Sequence, residues 1–195
     1  MTSLSPLQNI LIKGLYGNYE GKNDNILTKI KEIKDLLIVQ IVNYKNSTSK
    51  IKDFNIDGLS FPEEVLKVES NQNSRILWLG PKNWLLVTSK KDLIKTINTT
   101  FNNNDFAITD LSHSRGVIEI EGEKLKEILK KGCPFNFNEL KKNCCVNSVF
   151  NGITLTIDMI DDNPYKVRIF VLRSFSESFY HSITDSSLEY GYKTV

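Results

Sequence analysis

Gly116-Val-Ile-Glu-Ile-Glu-Gly122 is the stretch of this 195-residue sequence that decides the fold. Apolar and charged residues alternate along it, as in a β-strand that buries one face. A polar turn, Asp110-Leu-Ser-His-Ser-Arg115, precedes it, and a short amphipathic helix is predicted over residues 124–131. Gly132-Cys-Pro134 then supplies the glycine and the proline that end helices. The sequence therefore predicts a strand followed by a helix at this point.

A hairpin and a second helix are predicted in the remainder of the chain. Strands are expected over residues 153–160 and 165–172, because β-branched and apolar residues dominate both. Asp161-Asp-Asn-Pro164 between them is a strong turn signal. The final helix is expected to place three apolar side chains inward: Phe175, Phe179 and Ile183.

A similar order of elements begins earlier in the chain. Residues 36–42 are apolar and β-branched, as in a buried strand, and an amphipathic stretch follows over residues 51–59. Two strands over residues 75–79 and 84–88 are joined by a turn that contains glycine and proline. Apolar residues then recur with helical spacing over residues 93–101.

Two successive units are therefore predicted, each with the order strand, helix, strand, strand, helix. This is a split, ferredoxin-like α+β arrangement with mixed or antiparallel sheets. We expect an N-terminal arm or extension over residues 1–35, a first unit over 36–104 and a second over 105–195, packed as one compact domain. Within the arm, residues 26–37 are expected either to begin as a helix or to pack on another subunit.

Composition excludes several classes of function. The formal net charge of +2, from 25 basic and 23 acidic residues, gives no electrostatic basis for binding nucleic acid. No apolar stretch is long enough for a signal peptide or a membrane span. Three cysteines favour a reducing cytoplasm over a disulfide framework. The lysine clusters are interrupted by acidic residues and are interpreted as solvated helix faces: Lys29, Lys31 and Lys34, and Lys124, Lys126, Lys130 and Lys131.

His113 between Asp110 and Ser112 invites a catalytic interpretation. A catalytic triad needs a base within hydrogen-bond reach of the nucleophile, and neighbours in sequence seldom face each other in that way. We interpret Asp110, Ser112 and Ser114 as side chains that bond to backbone groups before the strand, and assign no catalytic residue. Arg115 either holds this turn or reaches a carboxylate on a partner surface.

Cysteine and acidic clusters are interpreted as structural. The adjacent pair Cys144-Cys145 cannot easily present both thiolates to one metal, so these two and Cys133 are expected to be buried, reduced thiols. Asp158, Asp161 and Asp162 are interpreted as residues of the turn at Asn163-Pro164, not as an acid–base pair. No glycine-rich phosphate-binding motif occurs, so no cofactor or metal site is assigned to this chain.

Six short segments occur in a characteristic order: Trp78-Leu-Gly-Pro81, Trp84-Leu-Leu-Val87, Asp110-Leu-Ser-His-Ser-Arg115, Lys131-Gly-Cys-Pro134, Arg173-Ser-Phe175 and Glu189-Tyr-Gly191. As an ordered set they resemble the gamma subunit of heterotetrameric sarcosine oxidase. The resemblance covers residues 58–191.

The resemblance implies a non-catalytic part of a larger flavoenzyme. Such a complex oxidatively demethylates sarcosine to glycine, forms hydrogen peroxide and passes the one-carbon unit to tetrahydrofolate. FAD, FMN, NAD and tetrahydrofolate are then bound by partner subunits (alpha, beta and delta), and this chain would assemble chiefly with the large alpha subunit in the cytoplasm.

The family is also distantly similar to the aminomethyltransferase of the glycine cleavage system, which implies an aminomethyltransferase-like fold. In that family's pattern two aspartates, one tied to folate chemistry, precede the last hairpin. The matching segment here, Asn151-Gly-Ile-Thr-Leu-Thr156, has Leu155 and Thr156 at those positions. The missing carboxylates weaken the alternative hypothesis, a stand-alone folate-dependent one-carbon protein.

Seven residues are candidates for a partner interface. Aromatic residues and arginine are enriched at interfaces, although an aromatic residue in a strand is as often part of the core. The candidates are Trp78, Trp84, His113, Arg115, Phe135, Phe137 and Tyr190.

Overall fold

The computed structural model describes residues 5–23 and 26–195 and has a mixed α+β architecture. Its strands, in chain order, are β1 (Gly14–Tyr16), β2 (Thr28–Glu32), β3 (Leu37–Asn43), β4 (Asn55–Ile56), β5 (Leu59–Ser60), β6 (Val68–Ser70), β7 (Ser74–Gly80), β8 (Asn83–Thr88), β9 (Phe106–Asp110), β10 (Arg115–Glu121), β11 (Cys145–Phe150), β12 (Ile153–Asp162), β13 (Tyr165–Leu172) and β14 (Tyr192–Thr194). Its α-helices are α1 (Leu93–Thr100), α2 (Leu125–Lys130) and α3 (Ser176–Ser187), with 3₁₀ turns at Ile51–Asp53 and Arg173–Phe175.

The chain divides into two compact units, each built on one large sheet. The first unit comprises residues 5–23, 26–34, 114–142 and 146–195, and the second comprises residues 35–113 and 143–145. Within the described residues, no helix is long and apolar enough to cross a membrane.

The first unit contains a seven-stranded sheet in the order β1-β14-β2-β10-β13-β12-β11. β10 lies at its centre and is antiparallel to both β2 and β13, whereas β14 and β2 run parallel. Ile118 and Ile120 lie on the face of β10 that also carries Gly116, where a Cβ atom would overlap Ser176 Oγ in α3. This face is therefore the one that α3 covers.

The second unit contains a five-stranded sheet in the order β6-β7-β8-β3-β9. Apolar residues of β3, β7 and β8 pack with Ile97 of α1 into one buried cluster. Three phenylalanines form its aromatic centre, because the ring centroid of Phe101 lies 5.0 Å from that of Phe54 and 4.9 Å from that of Phe106. Such ring pairs add about 0.5–1.5 kcal/mol each beyond their burial.

The two sheets repeat one strand order. In the second unit the strands β3, β7, β8 and β9 lie in the spatial order β7-β8-β3-β9. In the first unit β10, β12, β13 and β14 lie in the equivalent order β12-β13-β10-β14, with β2 inserted between β10 and β14. The predicted α+β class and the mixed sheets are confirmed.

One predicted helix is absent. In place of the helix expected over residues 51–59, after the predicted strand at residues 36–42, the chain forms the 3₁₀ turn and the hairpin of β4 and β5. The hairpin turn is Asp57-Gly58, whose φ angles of 53° and 76° are the pair that a type I′ turn requires. An Asp-Gly turn overrides the weak helical periodicity around it.

The N-terminal segment contributes a strand, and the helical alternative for residues 26–37 is wrong. β2 occupies an inner position of the seven-stranded sheet, where its residues alternate between buried and partly buried. Pairing with β10 and β14 outweighs the local helix propensity. Residues 1–4, 24 and 25 of the proposed arm lie outside the described residues.

Two further expectations differ from the structure in detail. β9, which follows the predicted boundary at residues 104/105, pairs with β3 in the five-stranded sheet. Phe175, expected to face inward from the last helix, lies in the 3₁₀ turn before α3 and is 48% exposed. Phe179 and Ile183 are fully buried, as predicted.

Close backbone contacts hold the N-terminal segment against the end of α3. The amide of Asn18 donates a hydrogen bond of 2.8 Å to the carbonyl of Leu188. Gly191 has a φ of +74°, and a Cβ atom there would lie 2.5 Å from the carbonyl oxygen of Asn18. Because the obstacle is backbone rather than a flexible side chain, only glycine fits at this position.

We expect Gly191→Ala to destabilise the chain more than Gly58→Ala. Gly58 has nearly the same φ, +76°, but nothing lies within 4 Å of the position that a Cβ atom would take there. Gly58→Ala should therefore lower the free energy of unfolding by about 1–2 kcal/mol, which is the strain of placing alanine in a left-handed backbone conformation. Gly191→Ala should cost roughly 1–3 kcal/mol more because the new methyl group overlaps the backbone of Asn18. Urea denaturation of both variants measures the difference, and equal losses would contradict this account of the junction.

Candidate functional site

The segment from Asp110 to Ser112 forms a tight polar turn at the end of β9. The Ser112 hydroxyl donates a hydrogen bond of 2.6 Å to Asp110 Oδ1, and the Ser112 amide donates one of 2.9 Å to the same oxygen. Ser112 Oγ in turn accepts a bond of 3.0 Å from the amide of Ile38. This arrangement satisfies the backbone at the end of the strand, and it confirms the structural interpretation of Asp110 and Ser112.

The geometry does not assemble a catalytic triad. The single proton of the Ser112 hydroxyl is directed to Asp110, so His113 does not stand as a base behind it. The His113 side chain is exposed. Of the seven interface candidates it is the most accessible to another protein.

The three cysteines are free thiols. Burial raises the pKa of the Cys133 thiol, against the opposing effect of the Ser148 hydroxyl 3.2 Å from its sulfur. Cys145 Sγ donates a hydrogen bond of 3.1 Å to the carbonyl of Trp78. Cys133 and Cys145 are buried as expected, whereas Cys144 is partly exposed. In the described part of the chain, no three His, Cys, Asp or Glu side chains are grouped closely enough to hold a metal ion.

The two tryptophans face each other across the hairpin of β7 and β8 but differ in environment. Trp84 is 3% exposed, and its indole Nε1 donates a hydrogen bond of 2.8 Å to the carbonyl of Pro62. Its ring meets that of Phe61 edge to face at 5.6 Å. Trp78 is only partly buried. Of the two alternatives for Trp84, its burial favours the core.

The remaining aromatic candidates divide in the same way. Phe137 is fully buried and Phe135 partly buried, with ring centroids 5.4 Å apart. Tyr190 is partly exposed, and the ammonium of Lys131 lies 4.8 Å from its ring centroid. Phe135 and Tyr190 thus keep surface that a partner can contact, as Trp78 does, whereas Phe137 has none.

Charged side chains cross the seven-stranded sheet on the face opposite α3. In one row Lys31, Glu119 and Arg168 are direct cross-strand neighbours on β2, β10 and β13. The carboxylate oxygens of Glu119 lie 2.9 Å from Lys31 Nζ and 2.9 Å from Arg168 Nε. Asp158, which is fully buried, stands opposite Arg168 on β12. Positive and negative charges therefore alternate across four strands.

A second row runs parallel to the first. Lys29, Glu121 and Lys166 are direct neighbours on the same three strands, and Glu121 binds both lysines. Asp161 stands opposite Lys166 and pairs with Lys142 at 3.2 Å. Lys29 and Lys31 thus lie on a strand and bind carboxylates, so their interpretation as a solvated helix face is wrong.

Glu119 remains ionised although it is buried. Burial opposes ionisation, but the hydrogen bonds from Lys31 and Arg168 outweigh it and hold the pKa of this carboxyl below its usual 4.5. Hydrogen bonds from Lys166 lower the pKa of Glu121 in the same way. Alternating charges at every second residue of β2, β10 and β13 were the signal that could have predicted these rows.

Comparison with known proteins assigns the chain to a family. The model of the sarcosine oxidase, gamma subunit family matches residues 51–189, which is more than half of the chain. The chain belongs to the sarcosine oxidase gamma subunit family. Its relatives include the sarcosine oxidase subunit gamma of Corynebacterium sp. (strain U-96), 26% identical over 137 residues, and that of Arthrobacter sp., 24% identical over 144 residues.

The coverage of these relatives is partial. The alignments span 68% and 71% of this chain, and 66% and 69% of the Corynebacterium and Arthrobacter proteins, so the first relative is covered over slightly less than two thirds of its length. The family match begins in the 3₁₀ turn after β3. β1, β2 and β3 therefore lie outside the matched residues, although β2 and β3 pair with strands inside them.

Solved structures show the same fold. A chain of the heterotetrameric sarcosine oxidase from Corynebacterium sp. U-96, in complex with pyrrole 2-carboxylate, aligns with a TM-score of 0.76 at 21% identity, over 86% of this chain and 88% of that one. Aminomethyltransferase T of the glycine cleavage system from Bartonella henselae aligns with a TM-score of 0.65 at 10% identity, over 88% of this chain and 48% of that one.

Leu155 and Thr156 occupy the two positions at which the aminomethyltransferase pattern has aspartates, so this chain has no carboxylate there. Leu155 is 2% exposed, as expected of a core residue in β12. The Thr156 hydroxyl donates a hydrogen bond of 2.7 Å to Asn147 Oδ1. Neither side chain can act as an acid or base near neutral pH.

If Trp84 is a core residue, Trp84→Phe should lower the free energy of unfolding by about 1–3 kcal/mol, because the buried Pro62 carbonyl loses its donor. Trp78→Phe is the matched control on the facing strand and should cost less. Urea denaturation of the isolated chain measures both. Unchanged stability for Trp84→Phe would return this residue to the interface candidates.

Glu119→Gln should destabilise the chain in a manner that depends on pH. We expect a loss of roughly 1.5–3 kcal/mol at pH 7, since two charge-assisted hydrogen bonds are weakened. The pKa of Glu119 in the folded chain lies below its usual value of 4.5. Its contribution to the free energy of unfolding is therefore fully present above pH 4.5, and it is lost as the pH falls through the lowered pKa. The difference between the variant and the unmodified chain should therefore shrink below that pH.

Urea denaturation at a series of pH values tests this effect. Glu64→Gln serves as the control, because Glu64 forms an exposed pair with Lys67. The control should change stability by less than about 0.5 kcal/mol at every pH. If Glu119→Gln lowered the free energy of unfolding by the same amount at pH 7 and at acidic pH, the charge of the Glu119 carboxylate would contribute nothing to stability.

Proposed function

We propose that this chain is a non-catalytic subunit of a sarcosine oxidase complex, in which it stabilises the assembly. The observation that carries the proposal is the family match over residues 51–189. The names of the curated relatives and the heterotetrameric source of the similar structure support it. A broad α+β surface with a few aromatic anchors suits a chain that binds a larger protein.

The proposal assigns the chemistry to the partners. The alpha, beta and delta subunits would bind FAD, FMN, NAD and tetrahydrofolate, and the large alpha subunit would be the main contact of this chain. The complex would demethylate sarcosine to glycine, form hydrogen peroxide and transfer the one-carbon unit to tetrahydrofolate. A cytoplasmic location suits three cysteines that form no disulfide.

Two features favour a structural role over an active site on this chain. The Ser112 hydroxyl and the Asp110 carboxylate are engaged in a turn. Uncharged Leu155 and Thr156 stand where the aminomethyltransferase pattern has aspartates. A shared fold with aminomethyltransferase T therefore gives little support to an independent folate-dependent activity.

Co-purification tests the proposal. The tagged chain is expressed in its source cells, and the eluate is examined by mass spectrometry, by its absorbance spectrum and for peroxide production with sarcosine. We expect large subunits that contain flavin, with peroxide formed only when sarcosine is present. An untagged chain is the control for nonspecific capture.

Two outcomes would contradict the proposal. A colourless eluate that contains only this chain would exclude the assembly role. Micromolar binding of tetrahydrofolate to the isolated chain, measured by calorimetry, would favour the stand-alone one-carbon protein instead.

A further inference from the structure

Arg115 lies at one end of the seven-stranded sheet, beside the exposed Leu172 and near the start of the 3₁₀ turn that carries the exposed Phe175. As the first residue of β10, it is the direct cross-strand partner of Leu172, the last residue of β13. The next residue, Arg173, begins the 3₁₀ turn and donates its amide to the Ser114 carbonyl at 2.9 Å. Leu172 is thus the direct cross-strand neighbour of Arg115, and Phe175 ends the 3₁₀ turn that follows Leu172. We call these three residues the Arg115 patch.

The guanidinium of Arg115 is partly buried, and the described residues supply no partner for it. Burial lowers its pKa, and across residues 5–23 and 26–195 it has no hydrogen bond, ion pair or aromatic ring contact. Arg168, on the neighbouring strand, is instead paired with Glu119. A cation removed from water without a partner is a cost to the folded chain. The turn before β10 is held by Asp110 and Ser112, so Arg115 is not needed for it.

The apolar members of the patch remain accessible. Leu172 is 42% exposed and Phe175 is 48% exposed. Exposed single apolar residues are common, but here Leu172 is the cross-strand neighbour of a cation without a partner among the described residues, and Phe175 follows in the next turn. Farther along the same sheet face the charges are paired with one another in two rows. The patch therefore differs from the described remainder of that face, because it offers both apolar surface and a charge that no described residue pairs with.

We propose that the Arg115 patch is a contact for the large partner subunit, and that it receives an Asp or Glu carboxylate flanked by apolar side chains. The planar guanidinium can donate two parallel hydrogen bonds to a carboxylate. Leu172 and Phe175 would exclude water from this pair, which strengthens it. The inference rests on the proposed function, because it names the surface through which this subunit would assemble.

Paired measurements on the isolated chain and on the complex test the contact. Arg115→Met removes the charge while keeping much of the apolar stem, and Leu172→Ser removes the exposed apolar group. We expect Arg115→Met to leave the urea midpoint of the isolated chain unchanged or higher, since an unpaired buried cation is lost. The dissociation constant for the purified large subunit should rise at least about tenfold for each variant.

Controls match each change elsewhere on the surface. Lys141→Met removes an exposed cation, and Val65→Ser removes an apolar side chain that is 66% exposed. Neither control should alter the dissociation constant by more than about twofold. Arg115→Lys, which keeps the charge but loses the bidentate geometry, should fall between Arg115→Met and the unmodified chain.

Three outcomes would overturn the inference. A lower urea midpoint for Arg115→Met would show that the arginine has an internal role. Unchanged binding by both patch variants, with normal assembly of the unmodified chain, would exclude the patch and leave the proposed function standing. Failure of the unmodified chain to bind any flavin-containing subunit would remove both proposals.

Discussion

Hydrogen bonding of β10 along both edges is the constraint on which the first unit depends. This strand is antiparallel to β2 on one side and to β13 on the other, so every residue from Ile118 to Glu121 has a neighbour on each side. Because successive side chains of a strand point to opposite faces of the sheet, Ile118 and Ile120 lie on the face covered by α3, and Glu119 and Glu121 lie on the opposite face. A slip of one residue would bury both glutamates beneath the helix, so the register is strongly specified.

The charged rows follow from that register. Glu119 and Glu121 each lie between basic residues of two neighbouring strands, so each carboxylate is shared by two cations. Cross-strand pairs of opposite charge stabilise a sheet by about 0.2–1 kcal/mol each. The paired charges also affect which proteins can bind this face. An apolar partner surface would have to bury or break the ion pairs, and that cost reduces its binding free energy. The surface left for a partner then lies where side chains are unpaired or apolar.

The polar turn at residues 110–112 bears on the proposed non-catalytic role. This turn resembles an active-site sequence, yet Asp110 accepts both of its hydrogen bonds from Ser112, and the Ser112 hydroxyl accepts one from the amide of Ile38 in β3. The hydrogen bond from the amide of Asn18 to the carbonyl of Leu188 joins the N-terminal segment, which lies outside the family match, to the end of α3, which lies within it.

The sequence alone determined the α+β class, most strands, the three α-helices and the family resemblance, because alternation, helical spacing and turn residues are local signals. It also predicted that Asp110 and Ser112 bond to backbone groups. Only the tertiary structure decided that residues 28–32 form a strand, that Trp84 and Phe137 lie in the core, and that Arg115 lacks a partner among the described residues. Each of these depends on neighbours distant in the chain. A lysine such as Lys31 becomes the partner of Glu119 only when sheet pairing brings residues 88 positions apart into register, and no local pattern contains that information.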